Sequence, residues 1–136
     1  MGVVDFLKAA VTAIAILVVN VAISFGAVAT YSVFIDPGHK AAYYEAAAQW
    51  IAPLSSIAFG WLLFFLAMLG MSSKPGRNAL LFALIAFAVY AAIDLSVIGA
   101  MGALSALGPT IAVSLASKLV GAVGGVWVAQ RRLRTA

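Results

Sequence analysis

Two charged side chains fall inside long apolar runs, Asp94 in one and Lys118 in the next. On insertion scales either type costs about 2.5–3.5 kcal/mol at the centre of a membrane span, so each calls for a partner, a wet cavity or an altered protonation state. Pairing is the first chemistry to consider. Asp94 lies about five residues from the end of its run and Lys118 about eight from the adjoining end of the next, so at about 1.5 Å per residue their levels differ by less than a helical turn. A lysine stem also reaches toward a carboxylate by snorkelling. An ion pair between neighbouring helices is expected, either fixing their register or forming a site for a proton, an ion or a polar solute.

Other polar residues fall at matching depths. Asn20 and Ser24 are four apart with Tyr31 seven further on, Tyr90 and Asp94 are four apart, and Ser55 and Ser56 occupy the run between. Intervals of four and seven place residues on one helical face. If the faces converge, Asp94, Lys118, Tyr90, Asn20, Ser24 and Ser56 make a polar pocket for a small solute or ion. The competing expectation is structural: Ser and Asn within spans often bond their own helix or a neighbouring one with no ligand present. Ser117, Gly121, Gly125 and Ala129 form a strip of small residues at intervals of four, suited to close approach of another helix from the same chain, a second copy or another protein.

The remaining inventory is thin. The chain has no cysteine, and His39 is its sole histidine. Thiolate metal sites, Cys nucleophiles, dithiol redox chemistry and bis-His haem ligation are excluded on those counts. No Ser-His-Asp set or phosphate-binding glycine loop is present. Neither an enzyme nor a metal or cofactor carrier is expected.

Apolar runs must position these residues. Of 136 residues, 65% are hydrophobic and 9% charged, against roughly 45–50% and about 25% in soluble domains. A water-soluble shell could not be built from this inventory, so the expected surroundings are a lipid bilayer. Four spans are predicted, at about 9–35, 47–71, 79–99 and 110–129, in a single all-α domain forming an antiparallel bundle. A cleaved secretory leader is the alternative for the first, given Lys8 ahead of it and the small residues 27–29; its length and the presence of Asn20 favour a retained span. Asp36 and Pro37 are expected to open the second helix, with Pro53 kinking it and Ser55 or Ser56 satisfying the freed carbonyl. The uncharged segment 100–109 is expected at the interface or as a short re-entrant piece.

Lys8, Lys74, Arg77, Arg131, Arg132 and Arg134 cluster at the N-terminus, the second connection and the C-terminus, whereas the first connection has Lys40 alone. The positive-inside rule then puts both termini in the cytoplasm. It also explains the basic balance without nucleic acid as a partner. The expected protein is a multi-pass component of a plasma membrane, bacterial inner membrane in type. It would bind or transport a small solute or ion, as a homo-oligomer or beside another membrane protein; a non-catalytic subunit or assembly factor of a larger complex is the alternative.

Overall fold

A chain crossing hydrocarbon finds no water for its backbone N–H and C=O groups, so long apolar runs must satisfy them within helices. The computed structural model describes residues 2–73 and 78–135, and these form four helices: α1 (Val3–Thr30), extended by one wider π turn (Tyr31–Ile35), α2 (Ala41–Met71), α3 (Ala79–Ala100) and α4 (Leu104–Thr135). Each is long and apolar enough to cross a membrane. The shortest, α3, has 22 residues and so reaches roughly 33 Å, against a hydrocarbon core of about 30 Å. Val18, Leu66, Leu84, Val113 and Val120 are exposed on the outside, an apolar surface that lipid tails suit and water does not.

Around the bundle α1 packs on α2, α2 on α4, α4 on α3 and α3 on α1, while α2 and α3 barely meet. The chain between α2 and α3 therefore links helices that stand across a diagonal; its residues 74–77, which include the basic Lys74 and Arg77, lie outside the described residues. One half of the bundle holds the apolar core, with Ala9, Ala13, Ile16, Phe64, Met68, Phe82, Ala83, Ala86 and Val126 buried together. Phe64 meets Tyr90 edge-on at 5.2 Å between ring centroids.

The closest packing joins α2 to α4, and glycines allow it. A methyl on Gly121 would collide with the Trp61 backbone carbonyl, and one on Gly125 with the backbone carbonyl of Phe65. On α2, a methyl on Gly60 would stand 2.6 Å from the Lys118 side chain. Because 60, 61 and 65 face 118, 121 and 125 in rising order, α2 and α4 run in the same sense. The small strip thus has its partner within the chain: Gly121, Gly125 and Ala129 are buried there, and the half-buried Ser117 bonds back to the Ser114 carbonyl at 2.8 Å.

Several boundaries differ from the sequence reading. Helix α4 begins at Leu104, so most of the segment 100–109 is helix continuous with the fourth span; the turn is Met101–Ala103, with Gly102 at φ +68°. Pro109 sits inside α4 as its sixth residue, so the bond its nitrogen would have made to the Ser105 carbonyl is lost. At the other connection α2 starts at Ala41 after Lys40, not at Pro37, because Gly38 at φ +95° turns the chain out of helical conformation. The carbonyl that Pro53 deprives belongs to Gln49, yet the Ser55 hydroxyl donates to Ala52 at 2.9 Å and Ser56 points to the interior network described below.

Asp36 ties that first connection together. Its carboxylate accepts from the Tyr43 hydroxyl, from Tyr31 at 3.3 Å, and meets the His39 ring at 3.0 Å; the Tyr44 hydroxyl donates to the Asp36 carbonyl at 2.9 Å. The Tyr43 and His39 hydrogen bonds, aided by His39's charge, hold the Asp36 carboxyl below its ordinary 3.8.

Two outcomes follow from this packing. Gly121→Ala drives a methyl into backbone and should lose about 1–3 kcal/mol in detergent unfolding followed by circular dichroism. Gly124→Ala, whose methyl meets only the Phe65 ring at 3.6 Å, should stay within roughly 0.5 kcal/mol of the parent. For the connection, a carboxyl whose folded pKa is depressed stabilises above its unfolded value and loses that contribution as pH falls through the folded one. Protection of the amides of residues 36–44, measured against intrinsic exchange at the same pH, should therefore fall below about pH 4, and Asp36→Asn should show the reduced protection already at neutral pH.

Candidate functional site

Each helix brings at least one polar residue to the middle of the bundle, and together they bond across it. Asn20 of α1 donates one amide N–H to the Ser56 hydroxyl of α2 at 2.9 Å and the other to the Tyr90 hydroxyl of α3 at 3.1 Å. From α4, the Lys118 ammonium donates to the same Ser56 oxygen at 3.0 Å and to the Ser114 hydroxyl one turn earlier on its own helix. It also lies 5.4 Å from the centroid of the Tyr90 ring, within reach of a cation–π attraction. Asn20 and Lys118 come from helices across the bundle from each other, so Ser56 and Tyr90 are the bridges between them.

The sequence places these residues there by simple spacing. Ser56 falls one turn before Gly60 on α2, and the missing Gly60 side chain leaves the space the Lys118 stem fills. Lys118 has no accessible surface at all. Its charge is solvated by two hydroxyls and a ring face, not by a carboxylate.

The expected Asp94–Lys118 ion pair is not formed: among the described residues the ion pair is His39 with Asp36. The reason is local. Ser56 and Ser114 lie beside the ammonium and take its donors, while Asp94, a turn beyond Tyr90 on α3, faces a cavity. That cavity measures about 430 Å3, and all four helices line it. Asn20, Ser24, Ser56, Asp94, Thr110 and Ser114 give its polar surface, and Val21, Phe25, Ile98, Met101, Leu107 and Ile111 are among its apolar walls. Asp94 is half-buried and receives no hydrogen bond among the described residues. One more group is unmet: the Asn20 amide oxygen is buried and unpartnered.

Of the residues singled out from sequence, Asn20, Ser56, Tyr90 and Lys118 meet in one network, and Asn20, Ser24, Ser56 and Asp94 line one cavity. Ser24 holds the cavity's edge, donating to the Asn20 carbonyl at 3.1 Å and lying 2.9 Å from the Ser55 hydroxyl. Tyr31 does not join them; it turns to Asp36 at the connection. Ser114 went unnoticed in the sequence, although its spacing of four before Lys118 marks it as a same-face neighbour. Thr110 continues the same face another turn back.

No family model matches this chain, and no curated protein or solved structure matches it either. The site is therefore read from its own chemistry. Its accessible charged group is the Asp94 carboxylate on the cavity, while the Lys118 ammonium and the Asn20 amide oxygen are sealed behind it.

Ser56 accepts from two donors, one of them charged, so its loss strands both. Ser56→Ala should destabilise the folded protein by about 1–3 kcal/mol. Tyr90→Phe removes a single neutral acceptor and should cost nearer 0.6 kcal/mol, roughly the average for interhelical bonds in membranes. Parallel unfolding titrations of the two variants test that ordering.

Proposed function

We propose that this chain is a multi-pass plasma-membrane protein, of the bacterial inner-membrane type, which binds or transports a small solute or ion through the cavity beside Asp94. The observation that carries the reading is a carboxylate at membrane depth that faces an internal cavity instead of its nearest cation. An ionisable group in a span that is not consumed by a structural pair is most simply explained by a path or site for something that enters. Asp94 would be the primary contact, with Asn20, Ser24 and Ser56 as polar neighbours. Lys118 and Tyr90 would hold the floor of the site and set its electrostatics.

The orientation that goes with this reading is an antiparallel bundle with both termini in the cytoplasm. The bonds Asn20–Ser56 and Ser24–Ser55 and the Tyr31–Trp50 ring contact descend along α2 as they rise along α1, as an antiparallel pair requires. Arg131 packs over the Trp127 ring at 3.7 Å near the basic end of α4, a pairing suited to an anionic cytoplasmic headgroup layer. The cavity would then open on the outer side.

A non-catalytic subunit or assembly factor is the other reading. Its main support was the small-residue strip as a docking face, and that strip is occupied by α2 of the same chain. A homo-oligomer or a membrane-protein partner would have to engage other surfaces. We assign no catalytic role, since the cavity offers one carboxylate and several hydroxyls but neither imidazole nor thiol.

Flux into proteoliposomes, surveyed across ions and small solutes, is the direct test. The parent should move at least one class, and Asp94→Asn should reduce that flux by about tenfold or more while keeping its helical content. A double variant, Asp94→Asn with Lys118→Met, that keeps full flux would confine both residues to structure, and no flux from well-folded parent protein would count against transport altogether.

A further inference from the structure

The chemical class of the solute can be drawn from the donors and acceptors that the cavity leaves unmatched, on the premise that the cavity is a binding site as proposed above. Asn20 is only 5% exposed, and both its amide N–H groups are spent, on Ser56 and on Tyr90. Its oxygen is unpartnered but, like the Lys118 ammonium, sealed from the cavity. Asp94 presents two acceptor oxygens on the cavity surface and no donor in its ionised form. The Ser56 and Ser114 oxygens accept from Lys118, and their hydroxyl hydrogens, with that of Thr110, can turn to either kind of partner. The one charged group a ligand meets is therefore an acceptor.

Charge points the same way. The cation that balances Asp94 has no accessible surface and does not line the cavity, standing behind the two serine hydroxyls. What an entering molecule touches is the carboxylate. An anionic head would be repelled by Asp94 even where the hydroxyls of Ser56, Ser114 or Thr110 could donate to it, and a purely apolar molecule would leave the carboxylate dry. An ammonium group supplies three N–H donors and a positive charge together, and bonds between ionised partners are the strong ones.

The remaining walls define the rest of the molecule. Beyond the polar floor the cavity is bounded by Val21, Phe25, Ile98, Met101, Leu107 and Ile111, and about 430 Å3 falls in the usual range for small-molecule sites of roughly 300–1,000 Å3. We infer that the cavity takes an amphiphilic amine, its ammonium head held by the Asp94 carboxylate and its apolar body laid along the walls toward the mouth.

Four probes of one chain length separate the possibilities: octylamine, octanol, octyltrimethylammonium and octanoate, each titrated against the full protein in lipid nanodiscs with empty nanodiscs subtracted for partition. Octylamine should bind saturably and about tenfold or more tighter than octanol, which lacks the charge, and octyltrimethylammonium, which lacks the N–H donors. Asp94→Asn should weaken it by at least about tenfold. Ile98→Trp, which fills the cavity and leaves the polar floor intact, should abolish it and serves as a second arm if Asp94→Asn does not fold. Tightest binding of octanoate, equal binding of octanol, or octylamine binding indifferent to both variants would each overturn the amine assignment. If no probe binds while the proteoliposomes still carry another solute, the amine assignment fails and the transport reading stands; if neither binding nor flux is seen, both fall.

Discussion

Hydrocarbon solvates no polar group, and the interior of this bundle is arranged around that fact. Lys118 is the severest case: a long cationic side chain with no accessible surface, in a region where an unaccommodated charge costs about 2.5–3.5 kcal/mol on insertion scales and more by other estimates. Its solution is not a salt bridge. Two serine hydroxyls accept its hydrogen bonds and a tyrosine ring offers its face. One of those hydroxyls, on Ser56, is shared with Asn20, which in turn reaches Tyr90. The need to solvate a single ammonium thereby helps to tie all four helices at one level.

The same constraint explains why the helices come closest on one side and part on another. For the Lys118 stem to lie inside, α2 and α4 must approach until side chains are in the way, and Gly60, Gly121 and Gly125 remove them. Close backbone packing of this kind substitutes for a hydrophobic driving force that is missing between apolar helices in lipid. With the ammonium satisfied by serines, the carboxylate on α3 is released from pairing. It is left facing open space because α3 leans on α1 and α4, and only slightly on α2.

Much of the helical framework was legible from apolar run length and breaker residues. Run length is a strong signal in this setting because hydrocarbon leaves the backbone no alternative to a helix. Polar residues at intervals of four gave the faces on which Asn20, Ser24, Tyr90 and Asp94 lie. What spacing could not give was partner choice. Helical depth made Asp94 and Lys118 plausible neighbours, but depth is one coordinate of three; the helix rotations decide the rest, and they turned Lys118 toward Ser56. Ser114 escaped notice because a serine in a span carries no signal until its neighbour is known to need an acceptor. The start of α4 expected from the sequence, at about residue 110, is too late: the helix begins at Leu104 and carries Pro109 within it, at the cost of one ladder bond. Tyr31 keeps the α-helical series, its N–H bonding the Ala27 carbonyl, but seven residues carry it about 10 Å beyond Ser24, to the level of Asp36.

The irregular features of the chain gather in one half of the molecule. Pro53 lines the cavity, Pro109 stands between its lining residues Leu107 and Thr110, and the π turn and the left-handed Gly102 lie at the same end. Each weakens regular helix packing by removing a bond or widening a turn. The opposite half has none of these among its described helices and holds the close-packed core of Phe64, Met68, Phe82, Ala83, Ala86 and Val126. The polar network sits at the boundary between the halves. In a carrier, that boundary is where a solute bound from the open end would be stopped, and passage would require the packed half to part. The hydrogen bonds converging on Ser56 join the helices that would have to separate, so occupation of the cavity and opening of the core would be coupled through the same few donors that keep Lys118 solvated.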